Sequence, residues 1–441
     1  MKRIFSAYAY GPAPRAGCWW DQTVTPQTWP TLQGDIEVDV AIVGGGFTGL
    51  SAALHLAQAG AQVALLDSEH IAWGASGRNG GFCCLGGTML DDATLDRQFG
   101  EQERLLLRQT EKTAVQLVDQ LLRDHKIDVD RHSAGETELA HRRKDMIALR
   151  AKLPAIARNY GVSGRIHDQQ DLAEIGMNGP FFGALTVPIG FALNPAKYAQ
   201  GLAAAAHAAQ ARIFERSAAL SILPEGRRHR IACAHGSVRA TDLIIATNGY
   251  SSEDLPPALA GRYLPTQSSV LVTRPLSQEE LSAQGWHSDQ MAFDSRSLLH
   301  YFRLMPDRRF LFGMRGGLLS SPASDTRARA ALHRDFRRMF PAWSKVETPH
   351  YWSGMVCLAR RRLPFVGALP GAKGLWAGLC YHGNGVAMGS FAGQTLAQLV
   401  QGQTPAIYPR ALRGPLAAFP LGRARRALLP AVYAGLMLRD F

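Results

Sequence analysis

The chain has 441 residues, of which 46% are hydrophobic and 19% charged, so it carries enough apolar material for two globular domains. No run of eighteen apolar residues occurs, and Pro12 and Pro14 interrupt the N-terminal stretch, so neither a transmembrane helix nor a secretory signal is expected. The net charge of +12 comes mainly from scattered arginines, and no nucleic-acid partner is expected. The six cysteines lack metal-ligand and disulfide-framework spacing, which favours free thiols, a cytoplasmic protein and no metal site.

The first predicted elements are a strand, a glycine-rich turn, a helix and a second strand. Residues 38–43 form an apolar run that is typical of a buried parallel strand, and Gly44, Gly46 and Gly49 follow with G-x-G-x-x-G spacing. Gly44 suits a tight turn, Gly46 lets the backbone approach a pyrophosphate, and Gly49 allows the helix to pack closely on the strand. Asp67 ends the second strand, where a carboxylate accepts hydrogen bonds from a ribose diol. The order of these features predicts a dinucleotide-binding fold.

The stretch WGASGRNGGF at residues 73–82 follows shortly after Asp67. A nicotinamide-dependent enzyme normally continues at this point into another crossover helix. Here the chain instead provides a glycine-rich backbone, against which a planar ring can lie. The alternative interpretation, for the segment in isolation, is a mobile surface loop.

Two long inserts separate the remaining parts of the nucleotide-binding domain. Leucine and alanine recur at helical spacing from Leu107 to Leu122, so the first insert contains a long helix. Asn194 and Pro195, at the N-cap and first helical position, mark the return to the nucleotide-binding domain. The second insert, about 257–343, contains strand-like segments that predict a mixed sheet.

Two further strands end in glycine-containing turns. The first ends at Ala246-Thr247-Asn248-Gly249, and the second enters Gly383-Asn384-Gly385 and is followed by a helix. The N-terminus of that helix presents free amides and positive potential, which stabilise an anionic ligand. An ordinary packed strand–helix turn is the alternative, and His382 beside it is either structural or a substrate contact.

These motifs resemble the FAD-dependent D-amino-acid oxidase, glycine oxidase and sarcosine oxidase family, and within it most closely the γ-glutamylputrescine oxidase-like branch. The matching segments are DVAIVGGGFTGLSAALHLA, GASGRNGG, LIIATNGY, RFLFG, RLPFVG and YHGNGVAMGSFAG. The resemblance implies an α/β protein with a Rossmann-type, glutathione-reductase-like FAD-binding domain and a discontinuous second α+β domain on a mixed sheet. The expected divisions are an N-terminal extension at 1–35, an FAD-binding domain at 36–90, 194–256 and 344–405, a substrate-binding domain at 91–193 and 257–343, and a basic, apolar tail at 406–441.

The resemblance also implies which residues contact FAD. The loop Ser76–Gly81 wraps the flavin, with Arg78 near the phosphates or the ring, and the strand around Ala219 offers its backbone to the adenine. The expected cofactor-binding residues are Gly44, Gly46, Phe47, Thr48, Gly49, Asp67, Ser68, Gly74, Ala75, Ser76, Arg78, Asn79, Gly80, Gly81, Ala219, Ala246, Thr247, Gly249, Gly383, Asn384, Gly385 and Val386. Relatives that bind flavin covalently use a cysteine near Cys357, but Cys357 is about three residues out of register. We therefore expect non-covalent FAD.

The implied reaction is hydride transfer from the carbon beside a neutral amine to flavin N5, which gives an imine that water hydrolyses to an aldehyde. The flavin supplies the redox chemistry, and the protein supplies orientation and a pocket. Amino-acid-oxidising relatives bind the substrate carboxylate with an arginine at the position of Val356, so an aliphatic amine such as a γ-glutamyl polyamine is the expected substrate. The candidate catalytic and substrate residues are His300, Tyr301, Arg303, Arg315 and His382.

Three alternatives remain open at this stage. In the first, the substrate is a D-amino or N-methyl amino acid instead of an amine. In the second, the chain is a basic flavoprotein associated with RNA or with a membrane surface through its tail. The electron acceptor is oxygen or another molecule, because no lysine occurs between Lys197 and Lys345, where sarcosine-oxidising relatives carry the lysine that activates oxygen.

Overall fold

The computed structural model describes residues 1–440 and has a mixed α/β architecture. Its strands, numbered in chain order, are β1 Gly34–Val43, β2 Val63–Leu66, β3 Phe82–Cys83, β4 Glu136–Leu139, β5 Arg165–Asp168, β6 Gly183–Val187, β7 Phe191–Ala192, β8 Arg212–Phe214, β9 Ser221–Glu225, β10 Arg228–Cys233, β11 Gly236–Ile245, β12 Leu264–Val272, β13 Met291–Asp294, β14 His300–Leu304, β15 Phe310–Arg315, β16 His350–Leu358, β17 Phe365–Ala368 and β18 Leu375–Leu379. Its α-helices are α1 Ala7–Tyr10, α2 Phe47–Gln58, α3 Asp92–Phe99, α4 Glu101–Asp124, α5 Asp145–Ala151, α6 Leu153–Tyr160, α7 Pro195–Ala208, α8 Gln278–Gln284, α9 Pro322–Met339, α10 Gly385–Val400, α11 Arg410–Arg413 and α12 Leu429–Arg439.

The first sheet contains the predicted nucleotide-binding elements. Its strand order is β17-β18-β11-β1-β2-β8, with β10 and β9 added antiparallel through β11, and the strands from β18 to β8 run parallel. Residues 40–42 of β1 are buried, as the apolar run of a central parallel strand requires. Helices α2, α7 and α10 cover one face of this sheet. The carboxyl ends of its parallel strands border a cleft, as is usual for folds of this kind.

Two helices that the sequence predicts are present, α4 in the first insert and α7 directly after it. Helix α4 buries Leu107 and Leu122 along the same stripe, which confirms the helical pattern. The Asn194 side chain caps α7 by accepting hydrogen bonds from the backbone N–H groups of Ala196 and Lys197, and Pro195 is the first helical residue.

The second sheet is mixed and has the order β16-β12-β15-β14-β13-β4-β6-β5. Strands β13 and β4 run parallel and the other pairs antiparallel, so both inserts contribute to one surface. One face of this sheet packs against α8 and α9 through an aromatic cluster. The members of that cluster are Phe181, Trp286, Phe302, Phe310, Phe312, Phe336, Phe340 and Trp343. The opposite face is turned toward the cleft of the first sheet.

Strand β16 lies elsewhere than the sequence-based division assigned it. Residues 344–405 were assigned to the FAD-binding domain, but His350–Leu358 pairs over its full length with β12 and forms the edge of the second sheet. The chain returns to the first sheet only at β17. The sequence of an apolar strand does not indicate which sheet the strand joins. Here β16 pairs with the edge strand β12 of the second sheet.

The C-terminal tail packs against the protein through buried arginine contacts. Arg425 forms a buried ion pair with Glu253, with 2.6 Å between Nη2 and Oε1, and donates a hydrogen bond to the carbonyl of Tyr263. These contacts support the interpretation of the tail as a packing segment. Of the helices between residues 1 and 440, none is both long and apolar enough to cross a membrane.

Candidate active site

The glycine-rich turn after β1 has the geometry that its spacing predicts. Gly44 adopts φ +115, and a Cβ there would lie 2.8 Å from the carbonyl oxygen of Ala246. A Cβ on Gly49 would lie 1.9 Å from the carbonyl oxygen of Gly44, so only glycine lets α2 pack this closely on the turn. A Cβ on Gly46 would meet the Ser76 hydroxyl at 2.8 Å, and this hydroxyl accepts a hydrogen bond from the Phe47 N–H. The turn and the loop that starts at residue 73 are therefore joined.

Asp67 lies at the end of β2 with its carboxylate facing the cleft. Its oxygens accept hydrogen bonds from the N–H groups of Gly45 at 2.7 Å and Glu69 at 2.8 Å. Burial raises the pKa of Asp67 to about 6, and the two hydrogen bonds oppose that rise. Each oxygen keeps a lone pair for a further donor, which suits the ribose diol that the sequence predicts.

The loop at residues 73–82 is held firmly by its own side chains. The Asn79 amide donates to the carbonyls of Ala75 and Ser76, and its oxygen accepts from the Gly81 N–H. The indole N–H of Trp352 donates to the carbonyl of Arg78. The interpretation as a mobile loop is therefore wrong, because these hydrogen bonds fix the backbone as a rigid surface.

A large cleft runs along these segments from β2 to the start of α10. Most of the predicted cofactor residues line it. They are Gly44, Gly46, Phe47, Thr48, Asp67, Ser68, Gly74, Ala75, Ser76, Asn79, Ala219, Ala246, Thr247, Gly383, Gly385 and Val386. We call this space the first cavity.

The remaining predicted cofactor residues have other positions. Arg78, Gly80 and Asn384 line a second, adjoining cavity. Gly49, Gly81 and Gly249 instead provide close packing, since a Cβ at these positions would lie 1.9, 2.0 and 3.2 Å from neighbouring atoms. These three glycines would therefore influence cofactor binding indirectly, by allowing the backbone conformation around the first cavity.

The buried Arg78 side chain has a hydrogen-bond donor available for a ligand in the second cavity. It is 2% exposed, its Nε donates to the Trp73 carbonyl at 2.8 Å, and its guanidinium lies over the rings of Trp73 and Tyr250. Among residues 1–440 its Nη2 has no hydrogen-bond partner. A buried donor without a partner is costly, so an acceptor atom of a bound flavin is a suitable partner.

The second cavity lies between the loop at residues 73–82 and the second sheet. It shares with the first cavity the residues Ala75, Asn79, Met355, Val356, Gly383 and Val386. Phe82, Leu85, Phe293 and Leu299 give it apolar walls. The two spaces therefore meet along the glycine-rich loop and the start of α10, and the second has the form of a small-molecule site.

Two of the predicted substrate residues, Tyr301 and Arg315, line this second cavity. The Tyr301 hydroxyl is 2.9 Å from the Ser268 hydroxyl, and burial raises the pKa of Tyr301, so the phenol stays protonated. The Arg315 guanidinium lies against Gly383, where a Cβ would be 2.4 Å from Nη2.

His300 and Arg303 lie outside the two cavities, contrary to the sequence-based prediction. His300 precedes Tyr301 on β14 and faces the opposite side of the sheet, where it stacks on Phe312 and hydrogen-bonds Asp294 at 2.8 Å. Arg303 is on the same face as Tyr301 but donates to the carbonyls of Gly80 and Leu193, which ties the loop at residues 73–82 to the start of α7.

His382 is also structural. Its Nδ1 hydrogen-bonds the carbonyl of Gly87 at 2.6 Å, and its Nε2 accepts from the N–H of Ala359 at 3.0 Å. Burial lowers the pKa of His382 to about 4, which keeps the ring neutral for these two bonds. These two hydrogen bonds favour the structural alternative for this histidine.

Sequence reasoning missed several residues of both cavities. Glu136 and Cys84 line the second cavity, and Arg3 and Tyr10 of the N-terminal extension line the first. Glu136 stands in the first insert as a single carboxylate without a surrounding motif. Nothing in the sequence indicated that β4 joins a sheet formed mainly by the second insert.

A dinucleotide cleft that continues into a walled cavity beside a rigid glycine-rich loop defines a flavin-dependent oxidoreductase. The chain belongs to the FAD-dependent oxidoreductase (DAO) family, whose characteristic sequence matches residues 39–399. The residues that line the first cavity are thus suited to FAD, the cofactor of this family. Within residues 1–440, no group of three or more His, Cys, Asp or Glu side chains is arranged to hold a metal ion.

Among curated proteins, the chain is 30% identical over 428 residues to a probable oxidoreductase OrdL of Rhizobium meliloti, covering 96% of this chain and 97% of that protein. It is 29% identical over 415 residues to the γ-glutamylputrescine oxidoreductase of Escherichia coli, covering 93% and 94% of the two chains. Among solved structures it resembles glycine oxidase of Geobacillus kaustophilus with a TM-score of 0.70 and 20% identity, covering 86% of this chain and 98% of that one.

Proposed function

We propose that this flavoenzyme oxidises the C–N bond of an aliphatic amine of the γ-glutamylputrescine class to an imine, which water hydrolyses to an aldehyde. The observation that carries the proposal is the second cavity, which adjoins the loop at residues 73–82 and is bordered by the second sheet. Support also comes from the Escherichia coli relative, which is described as acting on γ-glutamylputrescine.

The second cavity suits an amine that binds in its neutral form. Its apolar walls disfavour a bare ammonium ion, because burial in a medium of low polarity favours the uncharged species. Bound FAD supplies the electron acceptor for the hydride that leaves the carbon beside the nitrogen. Tyr301, held by Ser268, offers a neutral hydroxyl in the wall for orienting the substrate.

The lining of the second cavity also favours a chain-like substrate. Its lining extends from the loop at residues 73–82 to Glu136 on β4 and Arg315 on β15, so polar groups occur at more than one point along an apolar space. A γ-glutamyl polyamine combines methylene groups with separated polar groups in the same way.

Steady-state assays of the FAD-loaded protein test this function. γ-Glutamylputrescine, putrescine, D-alanine and sarcosine are compared, with aldehyde or keto-acid product, peroxide and reduction of a dye acceptor measured in parallel. We expect the γ-glutamyl amine to have the highest kcat/KM. Preferential turnover of D-alanine or sarcosine would establish the amino-acid alternative, and the ratio of peroxide to reduced dye identifies the electron acceptor.

A further inference from the structure

Three buried polar atoms beside the first cavity have no hydrogen-bond partner among residues 1–440. They are Nε of Arg3 and the hydroxyl oxygens of Tyr10 and Tyr250, and all three side chains line the first cavity. In the same part of the chain, no ion pair joins Arg3 to a carboxylate. Buried polar atoms are normally satisfied, so three unsatisfied ones at one cavity indicate a ligand that forms hydrogen bonds with them.

The three side chains form one continuous cluster. The Arg3 guanidinium lies over the Tyr10 ring, 4.2 Å from its centroid, and the rings of Tyr10 and Tyr250 pack edge to face with their centroids 6.2 Å apart. Tyr250 in turn packs on Gly74, where a Cβ would lie 3.1 Å from the ring. The unsatisfied atoms therefore belong to one part of the first cavity, next to the glycine-rich loop.

This cluster is connected to the turn that the sequence assigns to a pyrophosphate. The Tyr250 N–H donates to the carbonyl of Thr247 at 2.9 Å, and a Cβ on Gly44 would lie 3.2 Å from the Thr247 nitrogen. The glycine-rich loop reaches the same turn, because the Ser76 hydroxyl accepts a hydrogen bond from the Phe47 N–H at 3.0 Å. Phe47 begins α2, and a helix N-terminus stabilises anions.

All three side chains of the cluster are able to donate hydrogen bonds. A guanidinium carries only donors. Burial raises the pKa of Tyr10 to about 12 and outweighs the opposing effects of the Phe5 backbone and of Arg3, so the phenol keeps its proton at neutral pH. A guanidinium beside phenols is well matched to an anion with several acceptor oxygens. In oxidised FAD, that anion is the diphosphate.

The N-terminal extension is attached to the rest of the protein on both sides of Arg3 and Tyr10. Before them, the carbonyl of Lys2 accepts a hydrogen bond from the backbone N–H of residue 253 at 2.8 Å. After them, the buried Arg15 donates to the carbonyls of residues 72 and 73, at 3.0 and 2.7 Å, where the glycine-rich loop starts. These contacts fix the extension beside the first cavity, so its side chains need little reordering to bind a ligand.

We propose that Arg3, Tyr10 and Tyr250 bind the diphosphate of FAD, so that the N-terminal extension is part of the cofactor site. The Arg3 guanidinium supplies a positive charge, and the two phenols donate hydrogen bonds to phosphate oxygens. The turn before α2 supplies backbone amides to the same group. This assignment concerns cofactor binding alone and does not depend on which substrate is oxidised.

Competition binding on the FAD-depleted full-length chain tests this assignment without any turnover. The Kd values of ADP, which carries the diphosphate, and of adenosine, which lacks it, are measured from their displacement of FAD. Arg3→Met should raise the Kd of FAD and of ADP about 10- to 100-fold and leave that of adenosine unchanged. Tyr10→Phe and Tyr250→Phe should each raise the Kd of FAD and of ADP about 3- to 10-fold.

The matched controls are Lys2→Met and Tyr8→Phe, which remove a neighbouring positive charge and a neighbouring phenol outside the first cavity. Lys2 is exposed, and the Tyr8 hydroxyl donates to Asp325 at 2.8 Å. Both variants should bind FAD, ADP and adenosine as the unmodified protein does. Arg3→Lys keeps the charge but loses the planar guanidinium, so it should recover part of the ADP affinity that Arg3→Met loses.

Thermal unfolding with and without FAD separates cofactor binding from folding. FAD raises the melting temperature because it binds the folded chain. Arg3→Met should leave the melting temperature of the FAD-depleted chain unchanged and reduce the rise that FAD causes. An equal fall in both melting temperatures, or an equal loss of ADP and adenosine affinity, would show that Arg3 only stabilises the fold and would overturn the assignment. Unchanged Kd values of FAD and ADP in Arg3→Met would overturn it as well.

Discussion

Gly49 shows how a single missing side chain shapes the FAD site. Gly49→Ala puts a methyl group 1.9 Å from the carbonyl oxygen of Gly44, where α2 meets the turn that borders the first cavity. Overpacking of this kind costs about 1–3 kcal/mol of folding free energy and displaces the turn. We expect a lower melting temperature and substoichiometric FAD in the purified protein, measured by thermal unfolding and by the ratio of flavin to protein absorbance.

Gly435→Ala is the matched control for this substitution. Gly435 lies in α12 with open space around the position of a Cβ, and alanine is the better helix former. This variant should retain full FAD content. Equal flavin content in the two variants would show that the turn tolerates a side chain and that its geometry does not control cofactor binding.

At the scale of elements, β14 and α9 are joined by a buried hydrogen-bonded network. His300 of β14 lies between Asp294, at 2.8 Å, and Asp335 of α9, at 3.4 Å. Burial by itself would lower the pKa of His300, but the hydrogen bonds to the two carboxylates outweigh it and the pKa is raised above its ordinary value of 6.5. The pKa values of both carboxylates are lowered by the same contacts despite burial.

This network makes stability depend on pH in a defined direction. A raised folded-state pKa contributes stability that is complete below about pH 6.5 and is lost as the pH rises through the folded-state pKa of His300. We expect the free energy of unfolding, measured with urea, to fall from pH 6 toward pH 9 more steeply in the unmodified protein than in His300→Gln. At pH 6 the variant should be less stable by about 1–3 kcal/mol.

His235→Gln, at an exposed position in the turn between β10 and β11, controls for titration at the surface. It should follow the unmodified protein at every pH. A His300→Gln curve parallel to the unmodified one would mean that the pKa of His300 is the same in the folded and unfolded protein and that the two carboxylates do not raise it.

The elements differ in how far the sequence could predict them. β1, the glycine turn, α2 and β2 were predicted correctly because each has a local signal, and Asp67 follows from their order. The face on which His300 lies was not predictable, because aromatic and apolar residues occur on both sides of β14 and a shift of one residue inverts the assignment. Glu136 reaches the second cavity only through the parallel pairing of β4 with β13, which joins two distant inserts and leaves no local pattern.

At the scale of the whole molecule, both sheets border the first cavity, where we expect FAD to bind without a covalent bond. Covalent attachment through a cysteine requires a thiolate. Burial holds the pKa of Cys84 well above its ordinary range, and a hydrogen bond with Cys357 together with burial does the same for Cys380. We expect acid precipitation to leave all yellow colour in the supernatant. Colour that stays in the protein pellet would show a covalent bond.

The central claim is that the second cavity presents a γ-glutamyl amine to the flavin for oxidation, and anaerobic mixing tests it most directly. FAD-loaded protein is mixed with γ-glutamylputrescine without oxygen or dye while the flavin absorbance and the aldehyde product are measured. We predict complete loss of the yellow absorbance and one aldehyde per flavin, because a single hydride transfer needs no external acceptor. As a control, a chemical reductant is added to a separate sample to show that the bound flavin can be reduced. If that control succeeds, an unchanged spectrum with both γ-glutamylputrescine and putrescine would contradict the proposed oxidation.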